Sequence, residues 1–229
     1  MCILCDTPDK STLVDMIFLN CSMCTTITEI PKELVNLVHL TCYGCINLSN
    51  IPKEFVNLTY IDCKGCSTLK EIPKEFVNLW FIDCENCLLL TYIPKEFVNL
   101  TTLYCADCPN LTEIPKEFVN IQSLYCEYCP KITLIPRTLV KLEILDCSGC
   151  ENLREIPRDF VKLEELFCCD CPGLLSIPER FYPLYEDMIE TNYWNYRKEG
   201  CKKLVDSILE QLIVRTWEPL RARDWCSFA

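Results

Sequence analysis

One histidine and five glycines in 229 residues leave little to build catalysis with. The histidine, His39, has no nucleophile in a recognisable motif around it and reads as an ordinary residue. No glycine-rich phosphate loop occurs, and no Ser or Cys sits in a nucleophile context. The chain is therefore expected not to be an enzyme and to need no cofactor. Positive charge is also short: 22 Lys and Arg face 33 Asp and Glu, a net charge of -11. Nucleic-acid binding draws its affinity from neutralised phosphates, so a nucleic-acid partner is not expected. No apolar run approaches the ~18 residues of a membrane span, which argues against a membrane role. The opening "MCILCDTPDK" lacks a basic segment followed by an apolar run. A cytoplasmic, intracellular protein is the expectation, and there its 21 cysteines should be mostly thiols. Half of the residues are hydrophobic, enough for a large core and too many for a disordered chain.

What is present is a repeat. Cysteine pairs of the form C-x-x-C begin at 21, 42, 63, 84, 105, 126, 147 and 168, and Ile-Pro pairs begin at 30, 51, 72, 93, 114, 135, 156 and 177. The period is 21 residues, eight times, without insertion. Superposed, the units read L-x-x-L-x-C-x-x-C-x-x-L-x-x-I-P-x-x-F-V-x. In one unit these are Leu58, Ile61, Cys63, Cys66, Leu69, Ile72, Pro73, Phe76 and Val77. Ile61 and Cys63 are two apart, which on a strand places them on one face. After Cys66 the apolar spacing becomes three, so the chain leaves the strand. Pro73 lacks a backbone donor and suits an extended or turning return path.

These units resemble the leucine-rich repeat family, whose motif L-x-x-L-x-L-x-x-N/C-x-L they match at nearly every defined position from about residue 12 to 183. One departure is systematic: the third motif Leu is Cys in all eight units. The near-identical "IPKEFVNL" blocks and the cysteine pairs are further similar to the repeat proteins of giant DNA viruses. The resemblance implies an α/β-type repeat solenoid, a right-handed superhelix with a parallel sheet on its concave face. Its convex side would be irregular, extended or 3-10. Residues 1–11 are expected to be a lead-in, whose Cys2 and Cys5 fall out of phase, and 12–183 the solenoid. Residues 184–229 would be a C-terminal cap, with an amphipathic helix over about 201–217 read from Leu204, Val205, Ile208, Leu209, Leu212 and Ile213.

Three readings compete for the paired cysteines. Cys63, Cys66, Cys84 and Cys87 have zinc-ribbon spacing, and an array of such sites would make the chain a thiol-rich metal-binding or redox-buffering protein. A disulfide ladder is disfavoured, because Cβ atoms on parallel strands stay ~4.8 Å apart, beyond the usual ~3.8 Å. In the structural reading the first cysteine is a small core hydrophobe. The second stands where the family carries Asn, satisfying backbone groups of the next repeat. The leucine pattern explains the other fixed positions and the zinc pattern does not, so no metal site is expected. Sequons at Asn20, Asn47, Asn57, Asn99 and Asn110 fall at repeated positions and read as by-products of the pattern.

Specificity has to lie in the variable positions. Side chains flanking the inward Leu should face the concave side, giving Tyr60, Asp62, Phe81, Asp83, Tyr104, Tyr125, Asp146 and Phe167 as candidate partner-binding residues. Aromatics are common interface anchors, and scattered acids favour a basic or mixed partner surface. Asp62 and Asp83 should be lateral neighbours. The functional expectation is a non-enzymatic, monomeric protein–protein interaction module acting through its concave face. Drift on an unconstrained face would produce similar variation.

Overall fold

The structure, a computed structural model, describes residues 2–6, 13–174 and 176–184. Each repeat contributes one three-residue strand: β1 (Phe18–Asn20), β2 (His39–Thr41), β3 (Tyr60–Asp62), β4 (Phe81–Asp83), β5 (Thr102–Tyr104), β6 (Ser123–Tyr125), β7 (Ile144–Asp146) and β8 (Glu165–Phe167). They form a single parallel sheet in chain order. The register advances by one repeat per strand, pairing Leu19 with Leu40, Leu40 with Ile61 and Ile61 with Ile82. The middle residue of each strand is buried, and in β7 Asp146 is buried beside it. Parallel neighbours need a long crossover, and the rest of each repeat supplies it as turns and extended chain. The result is a solenoid, as the repeat predicts.

The core is one continuous column system. In the third repeat, Leu58, Ile61, Cys63, Cys66, Leu69, Ile72 and Phe76 are all buried. Phe55, Phe76, Phe97, Phe118 and Phe160 stack into a spine, with Leu34 and Leu139 in the same column. The valine of each repeat is the exception: Val77 is 44% exposed, and Val35, Val56, Val98, Val119, Val140 and Val161 are exposed too. Phe76 must point inward, so the residue after it on the tight return path faces water.

Leaving the strand requires a left-handed residue. The third position of every C-x-x-C has positive φ: Met23, Gly44, Gly65, Asn86, Asp107, Tyr128, Gly149 and Asp170. On the outer surface the asparagines form rungs. Asn57, Asn78, Asn99 and Asn120 each donate from Nδ2 to the carbonyl of Val35, Val56, Val77 and Val98, one repeat back. Asn47 and Asn110 donate likewise to Thr25 and Leu88, while the Asn20 carboxamide oxygen accepts from the Ser22 N–H. The sequon asparagines thus recur because the backbone needs their amides.

Residues 3–6 form a single helical turn, α1 (Ile3–Asp6), and Cys2 and Leu4 are buried in the common core. This part of the lead-in is packed onto the first repeat. At the other side a 3-10 turn, Glu179–Phe181, buries Phe181. The helix expected over 201–217 lies outside the described residues. Among the described residues no helix is long and apolar enough to cross a membrane.

Candidate interaction surface

The strand residues on either side of the buried position line the open face of the sheet. Successive strands bring rings at equivalent positions within stacking distance. His39 lies 3.8 Å from Tyr60 and nearly parallel to it; Tyr60 lies 4.3 Å from Phe81 at an interplanar angle of 3°. Phe18 extends the stack at one end, 4.7 Å from His39. At the other end Phe81 meets Tyr104 at 5.8 Å, and Tyr104 stacks on Tyr125 at 4.4 Å. The six rings run across β1 to β6, crossing at Phe81–Tyr104 from the column before the inward residue to the column after it. Trp80, 47% exposed, packs edge-on against Tyr60 and Phe81. Stacking leaves Tyr60, Phe81, Tyr104 and Tyr125 only partly exposed. It also buries His39 enough to depress its pKa, against the opposing pull of Asp62.

Carboxylates border the rings. Asp62 and Asp83 are lateral partners, as expected. Each also accepts the N–H two residues on, Lys64 to Asp62 Oδ1 at 3.2 Å and Glu85 to Asp83 Oδ1 at 3.1 Å. Lys64 forms an ion pair with Glu85 across the same two strands. Burial still dominates the electrostatics, and it raises both aspartates, Asp83 to about 6. Asp146 departs from the sequence reading. It is only 5% exposed, and its Oδ1 accepts the Ser148 N–H at 3.0 Å, so it is a buried turn acceptor. Beside it Glu127 is pushed up to about 7, by burial first and Asp146 second. Glu127 Oε2 is buried without a hydrogen-bond partner among the described residues. Phe167 is partly buried against the core at the sheet's last strand.

Sequence reasoning put Tyr60, Phe81, Tyr104 and Tyr125 on this face and made Asp62 and Asp83 lateral neighbours, which the register bears out. It did not foresee the ring stacking, the Lys64–Glu85 ion pair or the part played by Trp80. Trp80 could have been found by extending the columns one residue N-terminally. The Glu127–Asp146 coupling had no signal, because it depends on two side chains in adjacent repeats turning toward each other. Another concavity follows the Ile-Pro turns, lined by Tyr92, Leu134 and near-identical Lys-Glu pairs. Its basic and acidic side chains balance and repeat from unit to unit, so it offers little for discrimination.

The paired cysteines take structural positions. The first of each pair is buried beneath the sheet. The second donates its thiol to the carbonyl of the first cysteine of the preceding repeat: Cys45 to Cys21, Cys66 to Cys42, Cys87 to Cys63, and so on through Cys171 to Cys147, at 3.1–3.3 Å. The expected backbone role holds, with the preceding repeat as its target. The Cys66 and Cys42 sulfurs are 4.0 Å apart, and all sixteen are free thiols. The neighbouring thiol and full burial hold Cys42, Cys63, Cys84, Cys105, Cys126 and Cys147 well above the ordinary range, so these thiols stay protonated and unreactive. Cys169, outside the pattern, is buried with the core.

Comparison with known proteins agrees with this geometry. Residues 141–163 match the Leucine Rich Repeat family model. No curated protein matches the chain significantly. Among solved structures, the leucine-rich repeat domain of the type III effector XopL is similar over 73% of this chain and 65% of its own, at 23% identity and a TM-score of 0.59. The functional domain of InlJ from Listeria monocytogenes, described as including a cysteine ladder, is similar over 75% of this chain and 45% of its own, at 21% identity and a TM-score of 0.54. A leucine-rich repeat protein of Leptospira interrogans is similar over 78% and 56%, at 22% identity and a TM-score of 0.51. The chain thus spans about half to two thirds of these structures. It has the leucine-rich repeat fold, with the unit at 141–163 matching the family model in sequence as well.

Proposed function

We propose that this solenoid is a non-enzymatic interaction module whose open sheet face docks a basic segment of a protein partner. The observation that carries the reading is the run of six rings bordered by carboxylates on the open face of the sheet. Aromatic faces and nearby carboxylates together suit Arg and Lys side chains, which stack on rings while pairing with acids. Glu127 supports the same reading, since its unpartnered oxygen would gain a donor from a bound cation. Asp146 acts behind Glu127 and does not itself touch the partner. The charge balance of the chain favours a protein over a nucleic acid, and the proposed unit is an intracellular monomer. The array cysteines, spent on core packing and carbonyl contacts, do not support the metal-binding or redox-buffering alternative.

The test is affinity capture from cell lysate in reducing buffer, comparing wild type with Tyr104→Ala/Tyr125→Ala. A protein enriched by the wild type, released by moderate salt and lost with the variant is the expected result. Equal recovery by both baits, with circular dichroism showing both folded, would remove the sheet face from consideration.

A further inference from the structure

The out-of-phase cysteines of the lead-in do not take array positions. In α1 and the turn before it, Cys2 and Cys5 face the C-x-x-C turn of the first repeat. Cys5 Sγ lies 3.6 Å from Cys2 Sγ and 3.4 Å from Cys24 Sγ, and the three sulfurs all fall within 4.8 Å of one another. Among the described residues this is the one group of three or more metal-ligating side chains. The array never assembles a third sulfur, because each repeat's second thiol is turned onto a carbonyl. Cys24 does not make the thiol–carbonyl contact of the later repeats. Its sulfur instead meets Cys5 and the Thr26 hydroxyl, at 3.3 Å, with Thr26 Oγ1 also 3.1 Å from Cys5 Sγ.

We infer that Cys2, Cys5 and Cys24 form a three-thiolate site for a soft ion, Zn(II) in particular, which fastens the N-terminal segment to the open end of the solenoid. Thiolates on a 2.3 Å Zn–S bond in tetrahedral geometry stand ~3.8 Å apart, close to the spacing already present. Cys2 and Cys24 are buried while Cys5 is exposed, which gives two fixed ligands and one on the solvent side, where the ion would enter. A fourth, oxygen ligand would come from water or from Thr26. Zinc binding there would displace the thiol protons to solvent. The inference rests on residues separate from the sheet face and stands or falls independently of the proposed function.

The test uses the full chain, purified in a non-chelating phosphine reductant, with Zn(II) added and competed by a chromophoric chelator. Cys5→Ala is the informative variant, because an exposed side chain can be removed without opening the core. The wild type is expected to retain one more ion than Cys5→Ala and to melt higher with zinc than without it. Cys5→Ala should melt alike in both conditions, since a ligand stabilises only the state that binds it. Co(II) in place of zinc should give thiolate charge-transfer absorption in the wild type that Cys5→Ala or Cys24→Ala abolishes. The inference is overturned if the wild type takes up no zinc under reducing conditions, or if Cys5→Ala binds it within about twofold as tightly, given that losing even a supporting group costs ~10-fold or more at genuine sites.

Discussion

Cysteine carries two roles here that other residues fill elsewhere, and size and polarity account for both. At the first position it replaces a leucine beneath the sheet; at the second it gives the strand-end carbonyl of the preceding repeat its donor. Cys87→Ala removes that donor and leaves the Cys63 carbonyl only the bond from the Cys66 N–H. The expected cost is about 0.5–1.5 kcal/mol in urea unfolding, the net worth of one hydrogen bond. The aspartates are the opposite case, strained by the fold. Folded Asp83 holds its proton to about 6 against 3.8 for the free group, and Glu127 to about 7 against 4.5. Between those values the folded chain binds more protons than the unfolded one, so these groups lose stabilising effect as pH rises from about 4 through 7. Asp83→Asn keeps the acceptor for Glu85 N–H and removes the charge. It should stabilise the protein at pH 8, by up to about 1 kcal/mol after allowance for solvent screening, and leave stability near pH 4 unchanged. A gain of equal size at both pH values would mean that charge is not the cause.

At the scale of the element, the strand is three residues long and the turn after it does most to define the repeat. Six of the eight positive-φ positions carry Gly, Asn or Asp, types that tolerate that region. The turn was therefore readable in the column once its conformation was suspected; Met23 and Tyr128 hide it. Two glycines separate backbone from packing effects. A Cβ on Gly65 would meet only Gly44 backbone at 3.7 Å, whereas on Gly149 it would press into the Tyr128 ring at 2.4 Å. Gly65→Ala should cost about 1–2 kcal/mol, the left-handed penalty alone. Gly149→Ala should cost more, about 2–4 kcal/mol, because the ring must also move. Thermal melts of the two variants side by side decide this, and equal losses would contradict the packing account.

Across the whole molecule, each repeat leans on its neighbours through the phenylalanine spine, the asparagine rungs and the thiol–carbonyl contacts. Solenoids of this kind gain stability from the interfaces between units. Phe97 is fully buried in the middle of the spine. Phe97→Ala is expected to destabilise the array by about 3–5 kcal/mol. Circular dichroism and cysteine labelling should lose structure together, since the array thiols become reactive only when the core opens. Labelling that precedes loss of ellipticity would show the repeats unfolding separately.

The period of 21 residues, with its inward Leu, Cys, Ile and Phe, marked the repeat and its strand positions, and its likeness to the leucine-rich repeat motif implied the solenoid and the parallel sheet. A pattern that recurs eight times in phase can bury its apolar face only by stacking. The lateral pairing of Asp62 with Asp83 follows from the same register. Tertiary structure alone decided what each variable side chain does once stacked. It turned Asp146 inward to cap a turn, left Glu127 half-buried beside it, and joined two columns of rings into one stack at Phe81 and Tyr104. It also brought Cys2 and Cys5, which have no place in the repeat, against Cys24. Those outcomes depend on distances between residues one repeat or more apart, set by side-chain rotation. A linear pattern of residue types does not carry them.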